Sequence, residues 1–386
     1  MALYLDCAAT TPVDPRVRAE MLRWFEQAGN AGSRTHDFGL QARRAVERAR
    51  DQVAAVAGVS RGDVVFTSGA TESNNLAIIG LLGGLAGDVP ETTARRHIVT
   101  TAIEHAAVLE PVAHLERQGF TVTRVEPGPD GVVDAADVLR SVRPDTGLVS
   151  VMHVNNETGA IQPVEAIADG LSDPDVYFHV DAAQSFARLL PPLRHARIDL
   201  ISVSAHKIGG PQGVGALVTR RRAGARPPIQ PLLFGGGQER QLRPGTQPVA
   251  LIAGLGLAAE LAATEADERL QSCATFRDAL LAGLAPLHPR VNGAIERAVP
   301  YIINLSLPGI EAEAAIDAWA PHVAISTGAA CTSQSYTCSH VLSAMGLDGW
   351  RAENALRFSW TATSQTPDWS TLVSAAASLQ AIPGAP

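Results

Sequence analysis

The stretch Asp199-Leu-Ile-Ser-Val-Ser-Ala-His-Lys-Ile-Gly-Gly-Pro-Gln-Gly213 contains Lys207, the only lysine in a chain of 386 residues. Its apolar residues 200–203 predict a short buried strand, and the Gly/Pro cluster after the lysine predicts a turn. Ligands of α/β folds bind at the carboxyl ends of such strands. The stretch therefore predicts an α/β fold with Lys207 at its ligand-binding edge.

Every other fixed cation among the 31 basic residues is an arginine, so the one lysine is expected where an arginine could not serve. Arginine can replace lysine where only positive charge is needed, but a guanidinium stays protonated. A desolvated lysine amine can lose its proton and form a Schiff base with a carbonyl. Lys207 is therefore a candidate Schiff-base residue, and the alternative interpretation is a leftover surface charge.

A second apolar stretch, residues 176–180, predicts a strand that ends at Asp181. A buried carboxylate is costly unless it is paired. Pyridoxal phosphate supplies such a partner, because its ring nitrogen needs a carboxylate while its aldehyde needs a lysine. Strand–Asp–x–x–Gln with Gln184, followed by strand–Ser–x–His–Lys with Ser204 and His206, resembles the class-V aminotransferase group of the aspartate-aminotransferase-like fold.

Composition narrows the class of protein. The chain is too long for one simple core, which predicts two domains. A formal net charge of −8 argues against direct binding of nucleic acid. The arginine run within residues 43–50 is accordingly interpreted as the solvated face of an amphipathic helix over residues 40–57, rather than as a nucleic-acid patch.

Targeting and redox signals favour a cytoplasmic protein. Asp6 interrupts the first apolar run, so no signal peptide is expected. The apolar stretches 76–87 and 249–263 are too short to span a membrane. The four cysteines lack metal-ligand spacing, so we expect a reducing compartment, no metal site and no disulfide framework, with Cys7 and Cys273 structural.

Residues 64–75, Val-Val-Phe-Thr-Ser-Gly-Ala-Thr-Glu-Ser-Asn-Asn, predict a strand, a small-residue turn and the start of a helix. The N–H groups at a helix N-terminus bind phosphate, and Thr71 adds a hydroxyl. Alone, the motif is weak, and an ordinary capped turn would be the favoured interpretation. Placed ahead of the strands that carry Asp181 and Lys207, it resembles the family's cofactor-phosphate loop, which implies that Ala70 and Thr71 contact the cofactor.

Further site residues are implied by the same resemblance. His105 follows the strand that begins near residue 97, where the family has a histidine that stacks on the cofactor ring and handles protons. Taken singly, His105 would pass as a structural histidine. The strand 148–154 leads to Asn156, which the resemblance assigns to cofactor and substrate contact. Gln184, Ser204 and His206 complete the implied cofactor contacts.

The glycine-rich stretch Gly235-Gly-Gly-Gln-Glu-Arg-Gln-Leu-Arg-Pro-Gly-Thr-Gln247 is typical of a mobile loop. In the family it crosses a dimer interface and places its threonine, here Thr246, on the cofactor phosphate of the partner subunit. The resemblance therefore implies a homodimer with shared active sites. Residues 249–277 are predicted to be helical and to lead into the second domain.

The stretch Ile325-Ser-Thr-Gly-Ala-Ala-Cys-Thr-Ser-Gln-Ser-Tyr-Thr-Cys-Ser-His-Val-Leu342 places Cys331 among Gly, Ser and Thr residues, whereas structural cysteines usually lie in apolar cores. It resembles the sulfur-accepting loop of cysteine desulfurases of the NifS/IscS type, in the group with the extended loop. Arg357 matches the family arginine that pairs with the substrate α-carboxylate, a task for a bidentate fork. Cys338 is either an inert spare thiol or a resolving thiol for Cys331.

Seven ordered motifs thus imply a pyridoxal-phosphate-dependent transferase of fold type I. The expected large domain, residues 15–258, has a mostly parallel seven-stranded sheet; residues 1–14 and 259–386 form a small α/β domain with the cysteine loop. The implied reaction converts L-cysteine to L-alanine, with Cys331, Lys207 and His105 catalytic. The sulfur, held as a persulfide on Cys331, would pass to an acceptor protein for iron–sulfur assembly, tRNA thiolation or DNA phosphorothioate modification.

Two other functions remain open. One is a different pyridoxal phosphate reaction, such as transamination or selenocysteine lysis, and the other is a non-catalytic scaffold with this fold. Transamination needs no thiol, so Cys331 argues against it. Lys207, Asp181, His105 and Arg357 together argue against a scaffold.

Overall fold

The computed structural model describes residues 2–86, 95–327 and 339–380. The strands, in chain order, are β1 Leu3–Tyr4, β2 Val64–Thr67, β3 His97–Thr101, β4 Thr121–Val125, β5 Thr146–Met152, β6 Tyr177–Asp181, β7 Leu200–Ser204, β8 Gly215–Thr219, β9 Arg290–Val291, β10 Ile302–Ser306, β11 Val323–Ala324, β12 Ser326–Thr327 and β13 Ala355–Ser359.

The helices of the same ranges surround these strands. They are α1 Pro15–Phe25, α2 Asp37–Ala57, α3 Ala70–Asn75, α4 Leu81–Ala86, α5 Ala106–Arg117, α6 Ala135–Arg140, α7 Val164–Gly170, α8 Leu190–Leu193, α9 Val249–Thr264, α10 Ala266–Leu284, α11 Ala312–Trp319, α12 His340–Ala344, α13 Gly349–Glu353 and α14 Trp369–Gln380. A π-helical turn, Leu76–Gly80, joins α3 to α4.

The central sheet has seven strands in the order β2-β8-β7-β6-β5-β3-β4. Strands β4, β3, β5, β6 and β7 run parallel, while β8 is antiparallel to both β7 and β2. The expectation of an α/β fold with a mostly parallel seven-stranded sheet is confirmed. The register pairs Met152 with Asp181 and Asp181 with Ser202, so the carboxyl ends of β5, β6 and β7 lie side by side.

Alternating side chains of each central strand enter two separate cores. On β2, for example, Val64 and Phe66 pack into one hydrophobic cluster together with apolar residues of α2 and α9, whereas Val65 packs into the other with residues such as Leu76 and Leu81. Successive strand residues point to opposite faces of a sheet. A sheet covered on both faces explains why these strands read as unbroken apolar runs rather than as alternating ones.

A second, antiparallel sheet, of order β12-β13-β10-β9, lies over its own core. That core contains Trp319, Trp360 and Phe358, all fully buried. Strand β1 from the amino terminus pairs in parallel with β11, which attaches the start of the chain to this unit. The predicted small domain, residues 1–14 with 259–386, accords with this pairing, and its boundaries stay a prediction.

The stretch 249–277, expected to be helical, lies in two helices instead of one. Helices α9 and α10 meet at Glu265 with a bend of 73° between their axes. The Glu265 carboxylate accepts hydrogen bonds from Arg16 of α1, at 2.5 Å, and from Arg269. Among the described residues, no single helix is long and apolar enough to cross a membrane; this bent pair passes the same test only when its two helices are taken together.

Candidate active site

A cavity of about 470 Å³ opens where the carboxyl ends of β5, β6 and β7 face the start of α3. Parallel sheets of α/β proteins bind their ligands at this edge. The cavity brings together nine of the residues expected to form the site. They are Ala70, Thr71, His105, Asn156, Asp181, Gln184, Ser204, His206 and Lys207.

Lys207 projects into this cavity from a single 3₁₀ turn that directly follows β7. Its Nζ donates hydrogen bonds to the carbonyl oxygens of Ala8, at 2.5 Å, and Ala9, at 2.7 Å. The guanidinium of Arg188 donates to the Lys207 carbonyl, which secures the backbone. The amine is thus held at the cavity wall by the amino-terminal segment, in reach of a ligand carbonyl. The residue types of Ala8 and Ala9 carry no signal for this role, because only their backbone takes part.

Asp181, the last residue of β6, is 5% exposed and faces the same cavity. Its Oδ1 accepts from the N–H of Ala183 at 2.9 Å, and its Oδ2 accepts from Nδ2 of Asn74 at 2.7 Å. Both donors are neutral. A buried carboxylate is costly unless a cation compensates it, so this arrangement suits a cationic group of a ligand.

Asn74 is a site residue that the sequence analysis did not identify. It lies in α3, is fully buried, and has an Oδ1 atom without a hydrogen-bond partner among the described residues. The available signal was its position in the phosphate-loop motif, four residues after Ala70 and so on the same helix face. Its amide orients the Asp181 carboxylate.

His105 is the N-cap of α5, and its Nδ1 accepts from the N–H of Ala107 at 3.0 Å. Burial lowers the pKa of His105, and the positive charge of Lys207 lowers it further, against a raising effect of Asp181. The imidazole is therefore neutral at pH 7. With Nδ1 as an acceptor, the ring proton resides on Nε2. His105 can thus stack as a neutral ring and still hold a proton at Nε2.

The turn Ser68–Thr71 at the start of α3 forms one end of the cavity, beside Ser204 and His206. The first N–H groups of a helix have no acceptor within the helix and favour anions. Burial and the neighbouring Lys207 lower the pKa of His206 to about 4, so this ring is neutral as well. Hydroxyls, a neutral imidazole and a helix N-terminus together suit a phosphate group.

One glycine on the neighbouring strand lets the phosphate turn sit this close. A Cβ added at Gly215 of β8 would lie 2.3 Å from the Val203 carbonyl oxygen and 2.6 Å from Cα of Gly69. Both contacts are with backbone, which cannot move aside cheaply. Gly215 is therefore required for the approach of the turn to β8.

Arg357 is placed differently from the expected cofactor contacts, because it is fully buried in β13 and does not line the cavity. Its Nη1 donates to the carbonyl oxygen of Asn156 at 3.1 Å, directly behind the cavity wall. Its Nη2 donates to Oδ1 of Asp6 at 2.8 Å. Its Nε has no hydrogen-bond partner among the described residues. Asp6, which the sequence analysis treated only as a break in an apolar run, is thus the counter-ion of this arginine.

Cys331 and Cys338 lie outside the described residues, but both flanks of their segment reach the site. Ser326 of β12 pairs with Arg357 of β13. On the other side, Ser339 Oγ donates to Oε2 of Glu157 at 2.6 Å, and this glutamate follows Asn156 in the chain. The described chain therefore enters and leaves the cysteine segment next to the expected substrate arginine.

Thr246 is exposed and is not among the described residues that line the cavity of its own chain. The loop before it begins with the exposed apolar residues Leu233, at 52%, and Phe234, at 88%. These two adjacent side chains expose apolar surface that a partner subunit could cover. Thr246 thus does not contribute to the described lining of this cavity.

The donor set fits the pyridoxal phosphate that the sequence predicts. A lysine, a buried carboxylate with neutral donors, a neutral imidazole and a helix N-terminus with hydroxyls line one cavity. The aldehyde, the ring nitrogen, the ring face and the phosphate of that cofactor need these four kinds of partner.

Comparison with known proteins gives concordant matches. The family model "Aminotransferase class-V" matches residues 3–368. "Cysteine desulfurase, mitosomal" of Trachipleistophora hominis is 45% identical over 363 residues, which cover 92% of this chain and 81% of the relative. The solved structure of DndA from Streptomyces lividans is 49% identical, with a TM-score of 0.79 and coverage of 94% and 99%. A structure described as "SspA in complex with cysteine" is 36% identical, with a TM-score of 0.81 and coverage of 93% and 98%.

Proposed function

The chain belongs to the class-V aminotransferase family, whose cofactor is pyridoxal phosphate, and we propose that it is a cysteine desulfurase. The reaction is L-cysteine plus the thiol of Cys331 to L-alanine plus a persulfide on Cys331. The observation that carries the proposal is that one cavity contains both Lys207 and Asp181, a buried carboxylate whose hydrogen-bond donors are neutral. The chain is also similar to named cysteine desulfurases.

Lys207 and Asp181 would hold and activate the cofactor. When bound, pyridoxal phosphate acts as an electron sink that acidifies the substrate Cα. Asp181 would face the ring nitrogen and keep it protonated. The Lys207 amine, released when substrate binds, would take the Cα proton, and His105 can hold a proton at Nε2 beside it. Ala70, Thr71, Ser204 and His206 would bind the phosphate, with Asn156 and Gln184 along the ring.

Arg357 and Asn156 would bind the substrate. The guanidinium already donates to the Asn156 carbonyl and to Asp6, so its orientation is fixed before substrate arrives. A carboxylate that takes donors of a preoriented arginine gains charge-assisted hydrogen bonds. With its carboxylate held by Arg357, L-cysteine would present its Cα–H bond to Lys207.

Cys331 would accept the sulfur. Its thiolate attacks the substrate sulfur, an S–S bond forms, and the Cβ–S bond breaks with its electron pair left on the substrate carbon skeleton. Two protons complete L-alanine: one is the Cα proton held by Lys207 or His105, and the other is the proton released when the Cys331 thiol ionises. The persulfide stays on Cys331. A free thiol titrates near pH ~8.5, so a proton acceptor close to the substrate favours the attack.

The enzyme would act as a homodimer with shared sites. The exposure of Thr246 and its absence from the described lining of its own cavity support a role on the phosphate of the partner subunit. Phe234 would be covered by that subunit. A cytoplasmic location is supported by Cys7 and Cys273, which are both free thiols. The persulfide would be passed to an acceptor protein of iron–sulfur assembly, tRNA thiolation or DNA phosphorothioate modification.

A single-turnover experiment tests the proposal. The dimer is mixed with one equivalent of L-cysteine per site, alanine is quantified, and the peptide that contains Cys331 and Cys338 is fragmented in a mass spectrometer. We expect one added sulfur atom on Cys331. Cys331→Ser should bind the cofactor and lose alanine formation, whereas Cys338→Ser, the matched control on the same segment, should keep the persulfide yield. Sulfur on Cys338 alone, or full alanine formation by Cys331→Ser, contradicts the proposal.

A further inference from the structure

Three consecutive residues in the loop before Thr246 adopt a strained backbone conformation. Glu239, Arg240 and Gln241 have φ values of +45°, +58° and +69°, and none of them is glycine. A non-glycine residue in this left-handed region is disfavoured, because its Cβ comes too close to the following carbonyl oxygen. Such strain persists only where the surroundings hold the chain firmly, and it is concentrated at functional sites.

The firm contact is the carboxylate of Glu239, which is buried although the loop around it is largely exposed. It accepts a bidentate pair of hydrogen bonds from Arg50 of α2, at 2.7 and 2.8 Å. It also accepts from the N–H of Phe66 on β2 at 2.9 Å. The Arg50 guanidinium in turn donates to the Val64 carbonyl and stacks 4.6 Å from the Phe66 ring centroid. The strained turn is therefore fastened to the strand that carries the phosphate turn.

This fastened turn fixes both neighbours of Thr246. The N–H of Gly245 donates to Oε1 of Gln238 at 3.1 Å, and the side-chain amide of Gln247 donates to the Glu239 carboxylate. Thr246 itself is exposed between these two anchors. Gln238 and Glu239 thus restrain Thr246 through hydrogen bonds to its two neighbours, Gly245 and Gln247.

We propose that Glu239, held by Arg50, is the positioning residue that presents Thr246 to the cofactor phosphate of the partner subunit. The inference rests on the proposed function and on its shared sites, and it adds a residue whose carboxylate touches neither cofactor nor substrate. Glu239 acts through Gln247 and through the strained turn. Loss of its charge releases the turn and leaves Thr246 without a fixed direction.

The test compares pyridoxal phosphate with pyridoxal, which has the same ring and aldehyde but no phosphate. Equilibrium binding of both to the full-length, cofactor-depleted dimer is followed by absorbance. In Glu239→Gln, we expect binding of pyridoxal phosphate to weaken about tenfold, the usual loss for a hydrogen bond to a charged group. Binding of pyridoxal should change less than about twofold, because a positional effect on Thr246 reaches only the phosphate.

Asp199 offers a matched control. Its carboxylate is also buried, accepts from a strand N–H, here that of Phe178 at 2.7 Å, and pairs with the arginines Arg197 and Arg222. Asp199→Asn should lower the unfolding temperature much as Glu239→Gln does, yet leave the ratio of the two affinities unchanged. Gln247→Ala keeps the Arg50–Glu239 pair. It should lower the ratio of the affinity for pyridoxal phosphate to the affinity for pyridoxal, without a comparable loss of stability.

The outcomes separate this inference from the proposed function. A wild-type dimer that binds no pyridoxal phosphate refutes both. If Thr246→Ala weakens binding of pyridoxal phosphate but Glu239→Gln and Gln247→Ala do not, the inference alone is wrong. An equal fall of the ratio in Asp199→Asn also overturns it. In the Thr246→Ala background, Glu239→Gln should lower the ratio no further, since the two residues act through one hydroxyl.

Discussion

Asp199 and Asp181 lie at opposite ends of two neighbouring central strands, and their negative charges are compensated in different ways. Asp199, 1% exposed at the amino end of β7, pairs with Arg197 and Arg222 and accepts from the N–H of Phe178. Asp181, at the carboxyl end of β6, has the neutral donors Asn74 and Ala183. At the amino end of β7 the chain supplies arginines that neutralise the carboxylate. At the carboxyl end of β6 the proposed ligand would supply the cation.

A third buried carboxyl shows the remaining way to neutralise such a group. Glu104 is fully buried near Asp181, and its Oε1 accepts from the Thr101 hydroxyl at 2.7 Å and from the N–H of Met152 at 2.8 Å. Burial raises the pKa of Glu104 to about 8. This carboxyl therefore keeps its proton at pH 7. The contrast among the three groups supports the proposal that a cationic group of a ligand pairs with Asp181.

The largest effect is expected at Lys207. Lys207→Arg keeps the positive charge and donors for the Ala8 and Ala9 carbonyls, but a guanidinium cannot lose its proton. Formation of alanine from L-cysteine should fall by about 10³-fold or more, at the upper part of the range for a lost proton-transfer group. The unfolding temperature should change little. Retention of desulfurase activity by Lys207→Arg would sink the assignment of this residue.

The next effect distinguishes the two aspartates directly. Asp181→Asn should bind the cofactor and react about 10²-fold more slowly, the rate equivalent of a lost charged hydrogen bond of roughly 2–3 kcal/mol. Asp199→Asn should lose about 2–3 kcal/mol of stability, because the half-buried Arg197 and Arg222 lose a charged hydrogen-bond partner, while kcat of the folded fraction stays constant. Stopped-flow kinetics and thermal unfolding of both variants measure this. If both variants lost activity equally, the contrast between the edges would be unfounded.

Glu104 predicts a pH dependence of stability. Its folded pKa of about 8 lies above the unfolded value of 4.5, so the folded state binds the extra proton between these values. Its contribution is complete below the unfolded pKa and is lost as pH rises through about 8, with a slope of roughly 1.4 kcal/mol per pH unit. Glu104→Gln should remove this slope. Denaturant unfolding of both proteins at pH 6, 7 and 8 checks it, and parallel curves would contradict the protonated state.

The smallest effect is expected at Asn74. Asn74→Ala removes the 2.7 Å hydrogen bond to Oδ2 of Asp181 and leaves the carboxylate itself in place. Turnover should fall about tenfold, in line with one hydrogen bond to a charged group. Asn75→Ala is a matched control, because the neighbouring amide donates only to the Thr71 carbonyl of its own helix. A similar fall in Asn75→Ala would show that α3, and not the contact with Asp181, is responsible.

The sequence predicted the parts of the site that lie at strand ends. Lys207 and Asp181 follow apolar runs, and the residue type of each matches a chemical need, so both position and role could be inferred. The carbonyls of Ala8 and Ala9 could not be found in this way, because backbone groups are the same in every residue. Asn74 meets Asp181 across 107 positions of sequence, and such contacts follow from packing, not from local pattern.

Helix boundaries and long-range contacts that anchor loops could not be predicted from the sequence either. The break between α9 and α10 falls at Thr264-Glu265-Ala266, which contains neither glycine nor proline, so no local signal marks it. The glycine-rich composition of residues 235–247 predicted a mobile loop, whereas its strained turn depends on Arg50, 189 positions from Glu239. The roles of Cys331 and Cys338 stay predictions, since both lie outside the described residues.

The central prediction is that pyridoxal phosphate binds covalently to Lys207 at the carboxyl ends of the parallel strands. Borohydride reduction of the protein with bound pyridoxal phosphate, followed by intact-mass and peptide mass spectrometry, measures this most directly. Because the chain has a single lysine, the only other amine is its amino terminus. We predict one reduced cofactor per chain, on the peptide that contains Lys207, and none in Lys207→Arg. An adduct on the amino terminus alone, or an unmodified Lys207 in a protein that still forms alanine from L-cysteine, would contradict the account.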